Sequence, residues 1–125
     1  MTIMLNFKEV ELYYGSVYAL KGVSLQVNQG ETVALIGANG AGKSSILRAI
    51  TGLASPTKGT VTFQGERVDG TDPSDIVKRG IAMVPEGRRV FPFMSVKDNL
   101  MMGAFTRSDK TEIGVTLESI LTRFP

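Results

Sequence analysis

The first third of the chain alternates between apolar and polar residues in the manner of half-exposed β-strands. The alternation runs from Phe7 to Tyr14, where Gly15-Ser16 supplies turn chemistry, and it resumes over residues 17–20. This pattern predicts an antiparallel hairpin. A second alternating run over residues 23–27 predicts a further strand of the same half-exposed kind.

Two short segments are instead continuously apolar. They are residues 32–36, which precede a glycine-rich turn, and residues 81–84, which are followed by Pro85. A continuously apolar strand suits the interior of a parallel sheet that is covered on both faces. The sequence therefore predicts two buried strands at these positions.

Helical spacing and capping residues predict four helices. Asp72 is suited to the N-cap position and Pro73 to the first helical position, while Ser95 begins a pattern that resembles a capping box. The predicted helices cover residues 43–50, 73 to about 80, 96 to about 104, and 111–124, and a predicted strand pair lies at residues 60–64 and around 67–68.

The composition is that of one ordinary globular domain, with 125 residues, of which 42% are hydrophobic and 21% are charged. The net charge of +2 is too small to indicate a dedicated nucleic-acid or anionic-membrane surface. The sequence contains no Cys and no His, which excludes disulfide frameworks, thiolate or imidazole metal sites and Ser-His-Asp catalysis. The remaining chemistry belongs to lysine, hydroxyls, carboxylates and backbone dipoles.

The hydropathy of the chain gives no membrane or export signal. No apolar stretch approaches the roughly 18 residues that a membrane-spanning helix needs. The amino terminus lacks the basic segment and long apolar core of a secretory signal. We therefore expect a cytosolic location and no bilayer span within these residues.

The segment Gly37-Ala38-Asn39-Gly40-Ala41-Gly42-Lys43-Ser44 matches the phosphate-binding loop pattern GxxxxGK[ST] at every fixed position. It lies between a predicted buried strand and a predicted helix, as the pattern requires. Its glycines allow backbone amides to converge on triphosphate oxygens, and the helix N-terminus adds partial positive charge. Lys43 would contact the β- and γ-phosphates, and the Ser44 hydroxyl would coordinate Mg²⁺. Ser45 either reaches the α-phosphate or is an ordinary serine in the first turn of a helix.

The residues on either side of this loop carry a family resemblance. Tyr13-Tyr14-Gly15 precedes the loop, and the segment GIAMVPEGRRVFP follows it between Gly80 and Pro92. Together with the loop, these residues resemble the nucleotide-binding subunit of an ATP-binding cassette (ABC) transporter, and the later segment resembles the branched-chain amino acid transporter ATPase of the LivF type. The resemblance implies an α/β fold, with a P-loop NTPase core of the ABC ATPase type and an antiparallel β subdomain.

The resemblance also implies ATP and Mg²⁺ as cofactors, and a role for each matching residue. Tyr14 matches the aromatic residue that stacks on adenine; Tyr13 is a second candidate, and packing over the hairpin is the alternative role for Tyr14. Glu86 stands where most ABC ATPases carry the glutamine that touches Mg²⁺ and the attacking water. Lys43 and Glu86 are therefore the predicted catalytic residues, and Ser44 and Glu86 the predicted metal ligands. The predicted nucleotide contacts are Tyr14, Gly37, Asn39, Gly40, Ala41, Gly42, Lys43, Ser44 and Ser45.

Three motifs of the resembled family do not occur among the 125 residues. They are a signature segment resembling Leu-Ser-Gly-Gly-Gln, an apolar strand that ends in Asp-Glu, and a switch histidine. The sequence is therefore expected to be the amino-terminal part of one ATP-binding domain, incomplete at its C-terminus. Because the Asp-Glu pair supports Mg²⁺ and polarises the attacking water, we expect ATP binding with hardly any hydrolysis.

The function implied by the resemblance is ATP binding and hydrolysis coupled to branched-chain amino acid uptake. The implied partners are a second ABC ATPase subunit in a head-to-tail dimer and transmembrane permease subunits, with no nucleic acid. The implied location is the cytoplasmic face of the inner or plasma membrane, reached through the permease. The alternative is a truncated, non-hydrolysing ATP-binding or assembly fragment. A P-loop kinase or GTPase is disfavoured by the antiparallel strands ahead of the loop. The Arg88-Arg89 pair is either a solvated loop face or a contact with a transporter subunit.

Overall fold

A computed structural model of the protein describes residues 2–37, 42–87 and 89–125. The chain divides into two compact units, with the boundary between Met83 and Val84. The first unit contains β1 (Ile3–Tyr14), β2 (Val17–Asn28), α1 (Lys43–Ile50), β3 (Lys58–Phe63), β4 (Glu66–Arg67) and α2 (Pro73–Lys78). The second contains α3 (Val96–Met102) and α4 (Lys110–Arg123). No helix in the described ranges is long and apolar enough to cross a membrane.

Strands β1 to β4 form one antiparallel sheet in the order β2-β1-β3-β4. The predicted hairpin is confirmed, since β1 and β2 pair on either side of Gly15-Ser16, with Tyr14 opposite Val17. The alternating runs over residues 17–20 and 23–27 are parts of the single strand β2. The predicted strand pair around residues 60–68 is confirmed as β3 and β4.

Helix α1 packs its apolar face onto this sheet. Its buried residues are Ile46, Ala49 and Ile50, which share one face because they are spaced three and four residues apart. They join a core that includes Phe7, Leu12, Leu20, Val61 and Ile76. Burying each large apolar side chain of this core contributes roughly 1.5–3 kcal/mol. Since α1 contacts both β1 and β2, the start of the helix is held beside the hairpin.

The predicted caps of the later helices are confirmed. The Asp72 carboxylate accepts a hydrogen bond from the Ser74 amide at 3.1 Å at the start of α2. The Ser95 hydroxyl accepts one from the Asp98 amide at 3.0 Å at the start of α3. Helix α4 has a cap that the sequence did not predict: the carboxylate of its N-cap residue Asp109 accepts from the amides of Thr111 and Glu112. These short polar side chains satisfy amides that the helix itself leaves without a partner.

The two predicted buried strands are wrong as elements of this structure. Residues 32–36 and 81–84 are outside any helix or strand, and Ile36 and Val84 are 95% and 94% exposed. A buried parallel strand needs a hydrogen-bonded neighbour on each side and cover on both faces. The described strands pair only among themselves, in the antiparallel sheet, so neither apolar segment has a neighbouring strand. Ile81 alone of the second segment packs partly against the core of the first unit.

The Asp69 carboxylate fastens β3 to the residues after β4. It accepts a hydrogen bond from the Val61 amide at 3.0 Å, and the Arg67 guanidinium donates to both of its oxygens, at 3.2 and 2.6 Å. The hydrogen bonds from Arg67 hold the pKa of Asp69 below its usual value, and the Val61 amide acts in the same direction. Asp69 therefore binds a proton less tightly in the folded chain than in the unfolded one.

We expect the pH dependence of stability to follow from this lowered pKa. The contribution of Asp69 is present above the ordinary carboxyl pKa of about 3.9 and is lost as the pH falls through the folded-state value. In Asp69→Asn the free energy of unfolding should therefore decrease less steeply as the pH is lowered into the acid range. Urea denaturation over a series of pH values measures this acid limb of the curve. Arg67→Met, which removes the partner, should flatten the same limb. Curves for both variants that run parallel to that of the parent would contradict this assignment.

Candidate functional site

A cavity of about 440 Å³ opens between the turn of the β1–β2 hairpin and the first turn of α1. It brings together five residues that the sequence predicts as nucleotide contacts, from segments about thirty residues apart. The cavity is lined by Tyr14, Val17, Tyr18, Ala19, Gly42, Lys43, Ser44 and Ser45. The hairpin thus supplies one wall and the helix start supplies the other.

The N-terminus of α1 is open toward this cavity. Its N-cap is Gly42, which has φ 96°, ψ 6° and no side chain to cap the helix. A Cβ atom at Gly42 would lie 2.9 Å from Leu20 Cδ2 and 3.5 Å from the Ala19 carbonyl oxygen of β2. The left-handed backbone at Gly42 therefore favours glycine, and an added Cβ would also press against the Leu20 side chain. The positive end of the helix dipole and the first-turn amides, which the N-cap glycine does not cap, suit an anionic ligand.

The Lys43 side chain reaches back across the phosphate-binding loop. Its ammonium group donates a hydrogen bond to the Gly37 carbonyl, which links the two described ends of the loop. A lysine ammonium has three donor hydrogens on a flexible stem, so it can hold a backbone carbonyl and still serve a further acceptor. Lys43 thus lines the cavity while its ammonium group is held at the Gly37 end of the loop.

Tyr14 and Tyr13 have different surroundings at the end of β1. The Tyr14 hydroxyl donates a hydrogen bond to Ser45 Oγ at 3.2 Å, and its ring lines the cavity. The Tyr13 ring stacks on Tyr18, with a centroid distance of 4.5 Å and an angle of 1° between the planes. Of the two tyrosines that the sequence offers for adenine stacking, Tyr14 is therefore the one placed at the cavity.

Tyr18, which the sequence patterns did not indicate, lines the same cavity from β2. Its hydroxyl donates to the Glu11 carboxylate, and this hydrogen bond raises the pKa of Tyr18 to about 12. Lys21 lies 5.7 Å from the centre of its ring. The position of the turn could have indicated this tyrosine, because a hairpin that pairs Tyr14 with Val17 also places Tyr13 opposite Tyr18.

Several predicted residues are not part of the described cavity. Ala38, Asn39, Gly40, Ala41 and Arg88 lie outside the described residues. Glu86 belongs to the second unit, where it is exposed and its backbone carbonyl accepts a hydrogen bond from Arg89 Nε at 3.2 Å. Within the described ranges, no group of three or more acidic side chains is arranged to hold a metal ion.

The segment after Glu86 is shaped by the Asn99 side chain of α3. Asn99 Oδ1 accepts a hydrogen bond from the Phe91 amide at 2.8 Å, and Nδ2 donates to the Phe91 and Ser95 carbonyls at 3.0 and 2.9 Å. The turn that these bonds hold presents Phe93 fully to solvent. One amide side chain thus fixes the backbone on both sides of the turn, which sequence spacing alone did not indicate.

The model of the family described as "ABC transporter" matches residues 20–125. This chain belongs to the ABC transporter family. The match includes the phosphate-binding loop, all of α1 and the Glu86 segment, so the predicted family is confirmed.

Two curated ABC transporter proteins are similar to this chain over nearly its whole length. The chain is 45% identical over 98% of its length to BraG of Pseudomonas aeruginosa, described as a high-affinity branched-chain amino acid transport ATP-binding protein. It is 43% identical over 94% of its length to UgpC of Vibrio cholerae, described as an sn-glycerol-3-phosphate import ATP-binding protein. These alignments cover 52% and 31% of the two relatives, so the chain spans about half the length of BraG and less of UgpC.

A solved ABC cassette confirms the predicted fold class. It is a dimeric ATP-binding cassette in a post-hydrolysis state bound to ADP and Pi, with a TM-score of 0.78 and 25% sequence identity. The similarity covers 95% of this chain and 56% of the solved one. The described sheet and helices therefore correspond to part of the ABC ATPase fold.

Proposed function

We propose that this chain binds ATP in the cavity between the hairpin and α1, as the ATP-binding part of an ABC importer subunit. The observation that carries the proposal is that one cavity collects Tyr14, Lys43, Ser44 and Ser45. The first offers a flat aromatic face, and the others offer a cation and two hydroxyls beside an uncapped helix N-terminus. An adenine base joined to a chain of phosphates requires both kinds of contact.

The predicted nucleotide contacts have separate roles in this proposal. Tyr14 stacks on the adenine, while Lys43 and the first-turn amides of α1 hold phosphate oxygens; Asn39, Gly40 and Ala41 complete the loop. Mg²⁺ is usually held by phosphates and water with one or two protein ligands, and the Ser44 hydroxyl at the cavity wall fits such a ligand. When bound, the ion would neutralise phosphate charge. Glu86 is proposed as a further contact of the ion and the attacking water only on the family resemblance, because it stands where most ABC ATPases carry a glutamine with that role.

The branched-chain amino acid part of the proposal rests on similarity alone. BraG is described as acting in branched-chain amino acid transport and UgpC in glycerol-phosphate import, at nearly equal identities to this chain. The choice of branched-chain amino acids follows the more complete match to BraG and the resemblance of residues 80–92 to the LivF type. Uptake of branched-chain amino acids is therefore the proposed direction and substrate.

The proposed assembly follows from the same relatives. We propose a head-to-tail dimer with a second ABC ATPase subunit, in keeping with the dimeric solved cassette. Transmembrane permease subunits would hold this dimer at the cytoplasmic face of the membrane. In the full assembly residues 1–125 would form the amino-terminal part of one ATP-binding domain.

We expect a polypeptide of these 125 residues to bind MgATP and to release phosphate far more slowly than a complete cassette. Phosphoryl transfer depends on positioned charges, and the Asp-Glu pair that would hold the ion and orient water does not occur in the sequence. Equilibrium dialysis with labelled ATP measures binding, and phosphate release measures turnover in the same samples. Turnover equal to that of an intact cassette would contradict the non-hydrolysing alternative, whereas absence of ATP binding would contradict the proposed function.

A further inference from the structure

Tyr14 is held both at its backbone and at its hydroxyl group. It is the last residue of β1 and pairs with Val17, and its hydroxyl donates to Ser45 Oγ, on the first turn of α1, at 3.2 Å. Both residues line the cavity. The hydrogen bond therefore bridges the two walls of the cavity, between residues 31 positions apart in the sequence.

A phenol is a stronger acid than an alcohol, so Tyr14 is the favoured donor in this pair of hydroxyls and Ser45 the favoured acceptor. A serine hydroxyl has one hydrogen and two lone pairs, so accepting a hydrogen bond from Tyr14 leaves its own hydrogen for another acceptor. Ser45 lies three positions after the N-cap Gly42, where the amides and the dipole of α1 favour a negatively charged oxygen. A hydroxyl that already accepts a hydrogen bond is polarised and becomes a better donor.

We propose that the Tyr14 hydroxyl is a positioning group for phosphate, in addition to any stacking by its ring. It holds Ser45 so that the serine hydroxyl donates to a phosphate oxygen in the cavity. This inference rests on the proposed function, since it requires a phosphate ligand at this site. A stacking aromatic needs only its ring, whereas this role needs the phenolic oxygen and persists for a ligand that has no base.

The test compares ATP with inorganic tripolyphosphate, which carries the phosphates but cannot stack. Binding of each ligand is measured by isothermal titration to the 125-residue chain, to Tyr14→Phe, to Ser45→Ala and to the double variant. We expect Tyr14→Phe to weaken tripolyphosphate binding about two- to tenfold, which is the effect of one hydrogen bond. In the Ser45→Ala background, Tyr14→Phe should have no further effect. Ser45→Thr, which keeps the hydroxyl, should restore sensitivity to Tyr14→Phe.

The neighbouring tyrosine gives the control. Tyr13→Phe removes a hydroxyl from the ring that stacks on Tyr18, and it should leave the affinity for both ligands unchanged. Unchanged tripolyphosphate binding by Tyr14→Phe would overturn the proposal and leave only the ring with a role. If Tyr14→Phe reduced tripolyphosphate affinity equally in the parent and in the Ser45→Ala background, the proposal would also be overturned, because the two hydroxyls would then act independently. A parent that binds ATP but not tripolyphosphate would overturn this inference while the proposed function stands, and a parent that binds neither ligand would overturn both.

Discussion

Replacing Lys43 with methionine is expected to weaken ATP binding about ten- to a hundredfold. Lys43 lines the cavity, and its ammonium group donates to the Gly37 carbonyl at the other end of the loop. A charge-assisted hydrogen bond to phosphate is worth roughly 1.5–3 kcal/mol, which corresponds to that range of affinity. Methionine keeps much of the length of the side chain and removes the charge. Equilibrium dialysis of labelled ATP against the parent and Lys43→Met chains measures the effect.

A second lysine variant separates a local contact from the general charge of the chain. Lys58 is largely exposed on β3 and pairs with Glu11 at 3.8 Å, an ion pair of little energetic weight. Lys58→Met changes the net charge by the same amount as Lys43→Met and is expected to leave ATP affinity within twofold, since it is not among the residues that line the cavity. Equal weakening by both variants would show that ATP is attracted by overall charge and not by this site.

Gly59→Ala is expected to destabilise the first unit by at least about 3 kcal/mol. Gly59 has φ 85°, and an added Cβ would lie 2.3 Å from the Glu9 carbonyl oxygen and 2.5 Å from that of Lys8. The neighbouring backbone is itself constrained, because Glu9 has φ 48° and its amide donates to the Ser24 hydroxyl at 2.8 Å. The irregular stretch of β1 between Lys8 and Glu11 therefore cannot move away easily. Urea denaturation followed by circular dichroism gives the free energy of unfolding.

Gly65→Ala serves as the matched control for this variant. Gly65 follows β3 with φ 82°, but a Cβ there would meet no atom within 4 Å. Gly65→Ala should therefore destabilise the protein only by the strain of a left-handed alanine backbone, about 1–2 kcal/mol. A destabilisation by Gly59→Ala no larger than that by Gly65→Ala would show that β1 gives way at the irregular stretch.

Elements with local signals could be predicted from the sequence. The hairpin follows from Gly15-Ser16 between alternating runs, and α2 and α3 follow from the capping side chains of Asp72 and Ser95. The phosphate-binding loop could be recognised because its glycines, Lys43 and Ser44 are contiguous. In each case the determining contacts lie within a few residues of one another.

Features that depend on distant partners could not be predicted in the same way. Residues 32–36 are apolar enough for a buried strand, but a strand requires neighbours, and the described sheet provides none beside them. The wall that Tyr18 contributes to the cavity depends on the register of β2, and the need for glycine at position 59 depends on β1. Such requirements arise when segments far apart in sequence meet.

Photolabelling with 8-azido-ATP locates the bound adenine, because the reactive azide is on the adenine ring. The labelled 125-residue chain is digested, and the modified residue is located by mass spectrometry, with and without excess ATP. If adenine stacks at the end of the hairpin, the label should lie on Tyr14 and should disappear with excess ATP. Label that ATP displaces from a residue of the second unit, or label that excess ATP does not reduce, would contradict a nucleotide site between the hairpin and α1.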